Sequence, residues 1–478
     1  MLERWVHGAL ERRFLVVCAF AALAGLGLWA LTRLPVDAFP DTSNIQVQIN
    51  TVAPALNGEE IEQQITQPVE LALGGLPGLV EVRSISKFGL SQVVAVFSDD
   101  TNVYDARQFI LERLAGVAMP DGVESPQLGP ISSGLGEIFA YVLRSEDGAH
   151  TIEELRTLHD WVIKPQLIKT PGVAEVTAWG GFEKQYQVIA NPERLREYGI
   201  TLDRLIEALE RNNANVGGGQ LTTSGQAVLI HGLGRARSLE EIADIVVTAV
   251  EGVPVHVADL ADVAIGHEIR RGAVTFGGQG EAVLGLGYML QGGNSREVAS
   301  ALRRQLEQAK AALPPGVAVE VVYDRTELVE HVLETVRENL MTGAVLVIVV
   351  LFLMFGSVRG GLLVAVTIPM AMVCAVLGMH GAAIAASLLS LGAMDFGILV
   401  DGSVIMTDAH LRGLRAFRAG RGRKPTWRER LGIMAASARE VARPIAFGMG
   451  IILIVFLPIL TLEGAEGKMF RPMAFTFI

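Results

Sequence analysis

Residues 388–408 read Leu388-Leu389-Ser390-Leu391-Gly392-Ala393-Met394-Asp395-Phe396-Gly397-Ile398-Leu399-Val400-Asp401-Gly402-Ser403-Val404-Ile405-Met406-Thr407-Asp408. This is an apolar stretch long enough for a membrane helix, yet it holds three carboxylates. At about 100° per residue, Asp401 and Asp408 fall on nearly one face, two turns apart, while Asp395 is rotated from Asp401 by roughly a third of a turn. Gly397, Gly402 and Ser403 allow another helix to come close. A carboxylate is expensive at the bilayer centre, so it faces protein or water and marks function. A carboxyl group held away from water and cations takes up a proton readily, as a proton relay requires. The alternative is that the aspartates only pin helices together through buried hydrogen bonds. Two mid-membrane carboxylates with a third at the helix end favour the relay. Asp408, beside a basic loop, also reads as a solvated end residue.

Further apolar runs surround this segment. Phe14 to about Leu34 follows Arg12 and Arg13 and is long enough for a full span, with no clean cleavage site after it. Leu340–Phe355, Gly361–Met379, Ile384–Met406 and Pro444–Leu462 follow, and a last run opens at Arg471-Pro472-Met473 and stops at Ile478. The expectation is a chain that ends inside a sixth span and is one part of a longer protein. Pro369 is tolerable in a bundle whose neighbours satisfy the freed carbonyl. Arg4, Arg12, Arg13, Arg359 and the basic residues from Arg412 to Arg443 all fall on one side if each run spans once, and that side should be cytoplasmic. The basic loop is explained by this bias plus an interfacial helix from about Thr426 to Val441.

Between the first two spans, residues from about Pro35 to Leu340 alternate strand and helix signals. Ile45–Ile49 has period two. Asn57 before Gly58-Glu59-Glu60 reads as an N-cap opening a helix to about Leu76. Val80–Ile85 and Gln92–Phe97 read as a hairpin, followed by a helix over Val103–Val117. The pattern returns as a strand at Ile138–Leu143, a helix at Ile152–Ile168 and strands at Ala174–Trp179 and Gln185–Ile189. Repeated units of this kind predict ferredoxin-like βαβ subdomains. A helix over Pro192–Arg211 and strands at Ala227–His231 and Val253–Val257 complete the reading. Gly217-Gly218-Gly219 lacks phosphate-loop spacing and reads as a hairpin or protruding loop.

Composition agrees. Half of the residues are hydrophobic and 19% charged, with a mean hydropathy of +0.39, which fits a membrane protein with a large water-facing region. The net charge of −11 conceals the basic loop and says little about partners. No basic patch with interleaved aromatics appears in the polar region, which argues against nucleic acid as a ligand. Cys18 and Cys374 both sit in apolar runs and read as small hydrophobes. No nucleophile–base set or cofactor loop is visible, so neither an enzyme nor a cofactor is expected.

The segment Asp395-Phe396-Gly397 with Val400-Asp401-Gly402 and a third acid at 408 resembles the fourth transmembrane helix of the heavy-metal efflux branch of the resistance-nodulation-division (RND) superfamily. Phe39-Pro40-Asp41, Gln46–Thr51, Gly293–Val298, Tyr323–Thr326 and Glu466–Phe475 resemble other stretches of that branch. The drug-exporting branch has two adjacent aspartates in this helix, whereas Asp401 is followed by Gly402. The resemblance implies a membrane α-helical bundle plus an α+β periplasmic porter region. Residues 1–34 would be the tail and first transmembrane helix, and 35–340 the porter and docking subdomains. Residues 341–408 would be helices two to four, 409–443 the cytoplasmic basic loop and interfacial helix, and 444–478 the fifth helix and the start of the sixth. The chain would be the N-terminal half of an inner-membrane pump, a homotrimer working with a periplasmic adaptor and an outer-membrane channel. It would expel metal cations in exchange for protons carried by Asp395, Asp401 and Asp408. The third acid is usually glutamate, so Asp408 has the shorter reach.

No metal ligand is assigned. His150, His159, His231, His256 and His267 are scattered without i, i+4 pairs. Met119 and Met289 read as core or loop packing, and Met370, Met372, Met394 and Met406 as helix packing rather than a soft-metal path. The competing readings are an exporter of organic compounds on the same fold and a non-transporting truncated product.

Overall fold

The computed structural model describes residues 8–478 except 11, 35, 38–39, 224–225, 251, 269–271, 383, 388–389 and 391–395. Asp395 and Met394 lie outside the described residues. The first helix, α1 (Arg13–Leu31), is followed by β1 (Ile45–Ala53), α2 (58–73), β2 (Leu79–Lys87), β3 (Gly89–Phe97), α3 (Val103–Leu114) and the short β4 (Gln127–Leu128). Asn57 caps α2 as its sequence position predicts. Its side chain accepts from the amides of Glu59 and Glu60, both at 3.0 Å, and Glu60 returns a bond from the Asn57 amide. Gly89, at φ +78°, supplies the left-handed residue that lets β2 turn directly into β3. The strands form an antiparallel sheet in the order β2-β3-β1-β4. The period-two face of β1, with Val47 and Ile49, packs with Val93, Ala95 and Phe97 against Val69, Leu73 and Ile110 of the two helices.

The second sheet opens with β5 (Glu137–Ser145), α4 (152–167, with a π-turn at His159–Ile163) and β6 (Val173–Trp179). The strand expected at Gln185–Ile189 forms but pairs outside the second sheet. Gly180 and Gly181, at φ +74° and +69°, turn the chain away from the sheet. There follow β7 (Lys184–Ala190), α5 (Leu202–Asn212), the hairpin β8 (Val216–Thr223) and β9 (Gln226–Gly232), the pair β10 (Val246–Val250) and β11 (Val253–His256), and β12 (Ala261–His267). β7 pairs with β12, and this insert has its own core around Leu205, Val247, Val257 and Leu260. The expected helix over Pro192–Arg211 is two helices, because Gly199 adopts φ +68° and Thr201 caps a new start at Leu202. Gly217–Gly219 belong to β8, in a hairpin whose β9 strand is exposed along its length.

The chain then rejoins the sheet as β13 (Val283–Met289), α6 (Ser295–Lys310) and β14 (Val317–Asp324). The order is β14-β5-β13-β6, so last, first, third and second strands are neighbours in both sheets. Non-local register decides this order: Leu284 pairs with Trp179 on one side of β13 and with Val142 on the other.

β14 runs straight into α7 (Arg325–Phe355), capped by Asp324, which accepts from the Thr326 amide at 2.8 Å. Only the second half of α7 is apolar in sequence. At 1.5 Å per residue the helix is about 46 Å long, well beyond a ~30 Å hydrocarbon core. The next apolar run is two helices, α8 (Val358–Ala365) and α9 (Thr367–Gly381). Pro369 therefore sits in a first turn, where its missing N–H is little loss, and the Thr367 hydroxyl donates to the Val364 carbonyl at 2.6 Å. α10 (Phe396–Arg421) and α11 (Trp427–Phe456) follow, the latter continuous through Pro444, where the sequence suggested an interfacial helix and a separate span. A 3₁₀ segment, Leu457–Thr461, and α12 (Gly464–Phe477) close the chain. Among the described residues, the helices long and apolar enough to cross a membrane are Arg13–Leu31, Arg325–Phe355, Val358–Gly381 and Trp427–Thr461.

Candidate functional site

The aspartates at 401 and 408 stand on α10 between two packed faces. On one, Val400, Val404 and Leu411 meet Leu351, Phe355, Val364 and Ile368 of α7, α8 and α9. On the other, small residues let α11 approach. A Cβ at Gly402 would lie 3.2 Å from Ile445, and one at Gly413 only 2.8 Å from Ile433. Between them the Ser437 hydroxyl donates to the Ala409 carbonyl at 3.3 Å. Gly402 thus does what its position in the sequence predicted. On a helical projection Asp401 and Asp408 share one flank, about 20° apart and roughly 90° from either packed face. Asp401 is exposed on that flank and has no ion-pair or hydrogen-bond partner among the described residues. Asp408 is half-buried, and its Oδ2 lies 3.1 Å from Nε of Arg412, one turn on. One turn further, Arg415 donates to the Phe355 carbonyl at 3.4 Å, covering the C-terminus of α7 with a cation.

A cavity of about 470 Å³ opens beside this helix, between α9, α11 and α12. Met372, Cys374, Ile398, Met449 and Phe475 help to line it. Among the described residues no three His, Cys, Asp or Glu side chains gather into a metal site. Met289 is buried in the second sheet's core and Met119 packs on the first, as their readings expected.

The family model for AcrB/AcrD/AcrF proteins matches residues 6–478. The chain belongs to that family. Over its whole length this AcrB/AcrD/AcrF-family chain is similar to the cation efflux system protein CzcA of Alcaligenes sp. (strain CT14), with 45% identity over 487 residues. It is 35% identical over 486 residues to the cation efflux system protein CusA of Escherichia coli (strain K12). A crystal structure of a heavy metal efflux pump superposes with a TM-score of 0.86 at 34% identity, covering 98% of this chain and 46% of that one. The chain likewise spans about half the length of the curated relatives it matches, 46% in each of the two named. The resemblance carried by the acidic helix therefore holds from end to end.

Two polar constellations of this family member escaped sequence reasoning. In the second sheet, His159 is fully buried, with Nε2 3.0 Å from the Tyr141 hydroxyl and Nδ1 2.8 Å from Asp160. Arg156 donates to Asp160 at 2.6 Å and to the Gly180 carbonyl at 3.0 Å. Partial burial pushes Asp160 up, but the bonds from His159 and Arg156 outweigh it and hold the carboxyl below its usual value. Both ring nitrogens of His159 are engaged, so it is a structural histidine. The second constellation lies where helices meet sheets: Arg325 reaches Asp37 at 3.3 Å, and Lys468 reaches Asp99 at 2.5 Å. The sequence singled out Arg325 and Lys468 as parts of family-like stretches, but their partners lie 288 and 369 residues away and leave no local signal.

Proposed function

We propose that this chain is the N-terminal half of a proton-driven exporter of heavy-metal cations in the inner membrane. In this reading the two sheets are ferredoxin-like porter subdomains in the periplasm, the insert β7–β12 is the docking subdomain, and the basic segment 409–443 faces the cytoplasm. The full-length pump is a homotrimer that works with a periplasmic adaptor and an outer-membrane channel. Asp395, Asp401 and Asp408 form the proton path. The observation that carries the reading is Asp401: a carboxylate on a helix closely packed on two sides, left open on the flank between them. An intramembrane acid is costly unless it works or is paired, and its partners here would come from the portion of the relatives' length that this chain does not span. Asp408, already paired with Arg412, has the weaker claim.

The relatives' printed names support metal cations as substrates. The experiment is metal tolerance of a sensitive strain carrying the full-length gene, with and without Asp401→Asn. Wild type should raise tolerance to at least one of Zn, Co, Cd, Cu and Ag, and the variant should not. Unchanged tolerance with the wild-type gene would turn the reading toward export of organic compounds.

A further inference from the structure

We propose that Lys468 is a positioning residue that passes movement of α12 to the first sheet. The ammonium of Lys468 lies 2.5 Å from Asp99 Oδ1 and donates to the Ser43 carbonyl at 2.7 Å, so one side chain bridges the membrane-side helix and two separate stretches of the sheet subdomain. Both anchors are tied into local hydrogen bonds. Asp99 sits in the turn after β3, where the Ser98 amide donates to the Gly78 carbonyl at 2.8 Å and the Thr101 amide donates to Ser98 at 3.0 Å. Ser43 precedes β1, and its amide donates to Asp41 at 2.9 Å. At the other end, the turn entering α12 folds tightly over Gly467: a Cβ there would collide with the Leu462 carbonyl. The lysine therefore springs from a closely packed turn at the start of the helix.

Around this bridge the two parts stand apart. A cavity of about 800 Å³ separates them, lined by Asp41, Asp100, Glu463 and Arg471 along with the bridging pair. Across this cavity Lys468 is the side chain that joins α12 to Asp99 and Ser43. The first sheet has its own apolar core, and a part-exposed ion pair adds little to fold stability. What the bridge supplies is a fixed distance between a helix of the transport bundle and the strands β1 and β3. Coupling of this kind needs a contact that both ends bias.

The inference rests on the transport reading, and the test separates the two. In the full-length protein, Asp401→Asn stands in for the protonated acid, and backbone hydrogen exchange at residues 89–101 is compared with wild type. The bridge predicts a severalfold change on Asp401→Asn that vanishes in a Lys468→Met background and survives in Lys468→Arg, which keeps both donations. In proteoliposomes, Lys468→Met and Asp99→Asn should each lower the maximal rate of metal export about tenfold. The apparent metal KM should stay unchanged, and the double variant should be no worse than either single one. An exchange response to Asp401→Asn that is absent when Lys468 is present, or unaffected by Lys468→Met, overturns the bridge, as do additive losses. A Lys468-dependent exchange response to Asp401→Asn in a protein whose wild type exports no metal cation removes the transport reading and leaves the bridge standing.

Discussion

Asp408 and Arg412 are one helical turn apart on α10, with Oδ2 and Nε 3.1 Å from each other. Seven residues earlier on the same flank, Asp401 has no such companion among the described residues. The two acids that sequence spacing grouped together are thus electrostatically unequal: one has a cation within its own helix, and the other has none among the described residues.

This inequality predicts unequal phenotypes. On the proposed proton path, Asp401→Asn in the full-length protein should reduce export on the order of 100-fold or more, the scale of a lost proton-transfer group. Asp408→Asn should cost less, and Asp408→Glu should be tolerated because the longer side chain can still meet Arg412. Metal-driven dissipation of a pH gradient in proteoliposomes measures all three.

The seam between α10 and α11 predicts graded sensitivity. A Cβ at Gly402 would lie 3.2 Å from Ile445 Cγ2, so the isoleucine must give slightly and Gly402→Ala should cost less than Gly413→Val. Gly413→Val would press on both Ile433 and Ser437 and should destabilise by about 1–3 kcal/mol. Thermal unfolding of the detergent-purified protein, with membrane yield as a second readout, checks the difference.

Gly285 and Tyr141 are cross-strand partners, and a Cβ at Gly285 would fall on the Tyr141 ring. The glycine lets the ring lie over the strand with its hydroxyl aimed at His159. Gly285→Ala should displace the ring and cost about 1–3 kcal/mol. Tyr141→Phe removes the hydroxyl and leaves a buried imidazole nitrogen without its bond, costing a similar 1–3 kcal/mol.

Asp160 gives this network a pH dependence. Its folded-state pKa is lowered, so its contribution is complete above the ordinary value of 3.8 and is lost as pH falls through the lower folded value. Asp160→Asn should be less stable than wild type at neutral pH, and the gap should narrow on acidification below about pH 4. Melting temperatures across that range test it, and a gap that stays constant would remove the carboxylate from the account.

What the sequence made legible was local. Asn57 announced α2 through the chemistry of its cap, Ile45–Ile49 announced a half-buried strand, and the apolar runs announced membrane helices. Asp401 stood out because a charge inside such a run has few innocent explanations. The rest depended on distant pairings. Gln185–Ile189 read as a strand, but nothing in it named a partner. Its actual neighbour, β12, is specified by register more than seventy residues on. The start of α7 at Arg325 was hidden because its first turns are polar, and helix propensity does not distinguish a membrane entry from a water-facing turn. Lys468 gave no sign of Asp99, since an ion pair between remote segments leaves no periodicity.

The insert between β6 and β13 leaves and rejoins the second sheet almost at one point: a Cβ at Gly180 would lie 2.8 Å from the Ala282 carbonyl. Because it departs and returns at adjacent sites and has its own apolar core, the sheet beneath does not depend on how long it is. This part of the protein is a cassette. Its hairpin can lengthen, shrink or be grafted from a relative while β6 and β13 remain zipped. A change in the length or surface of this region should therefore leave the fold that carries it in place.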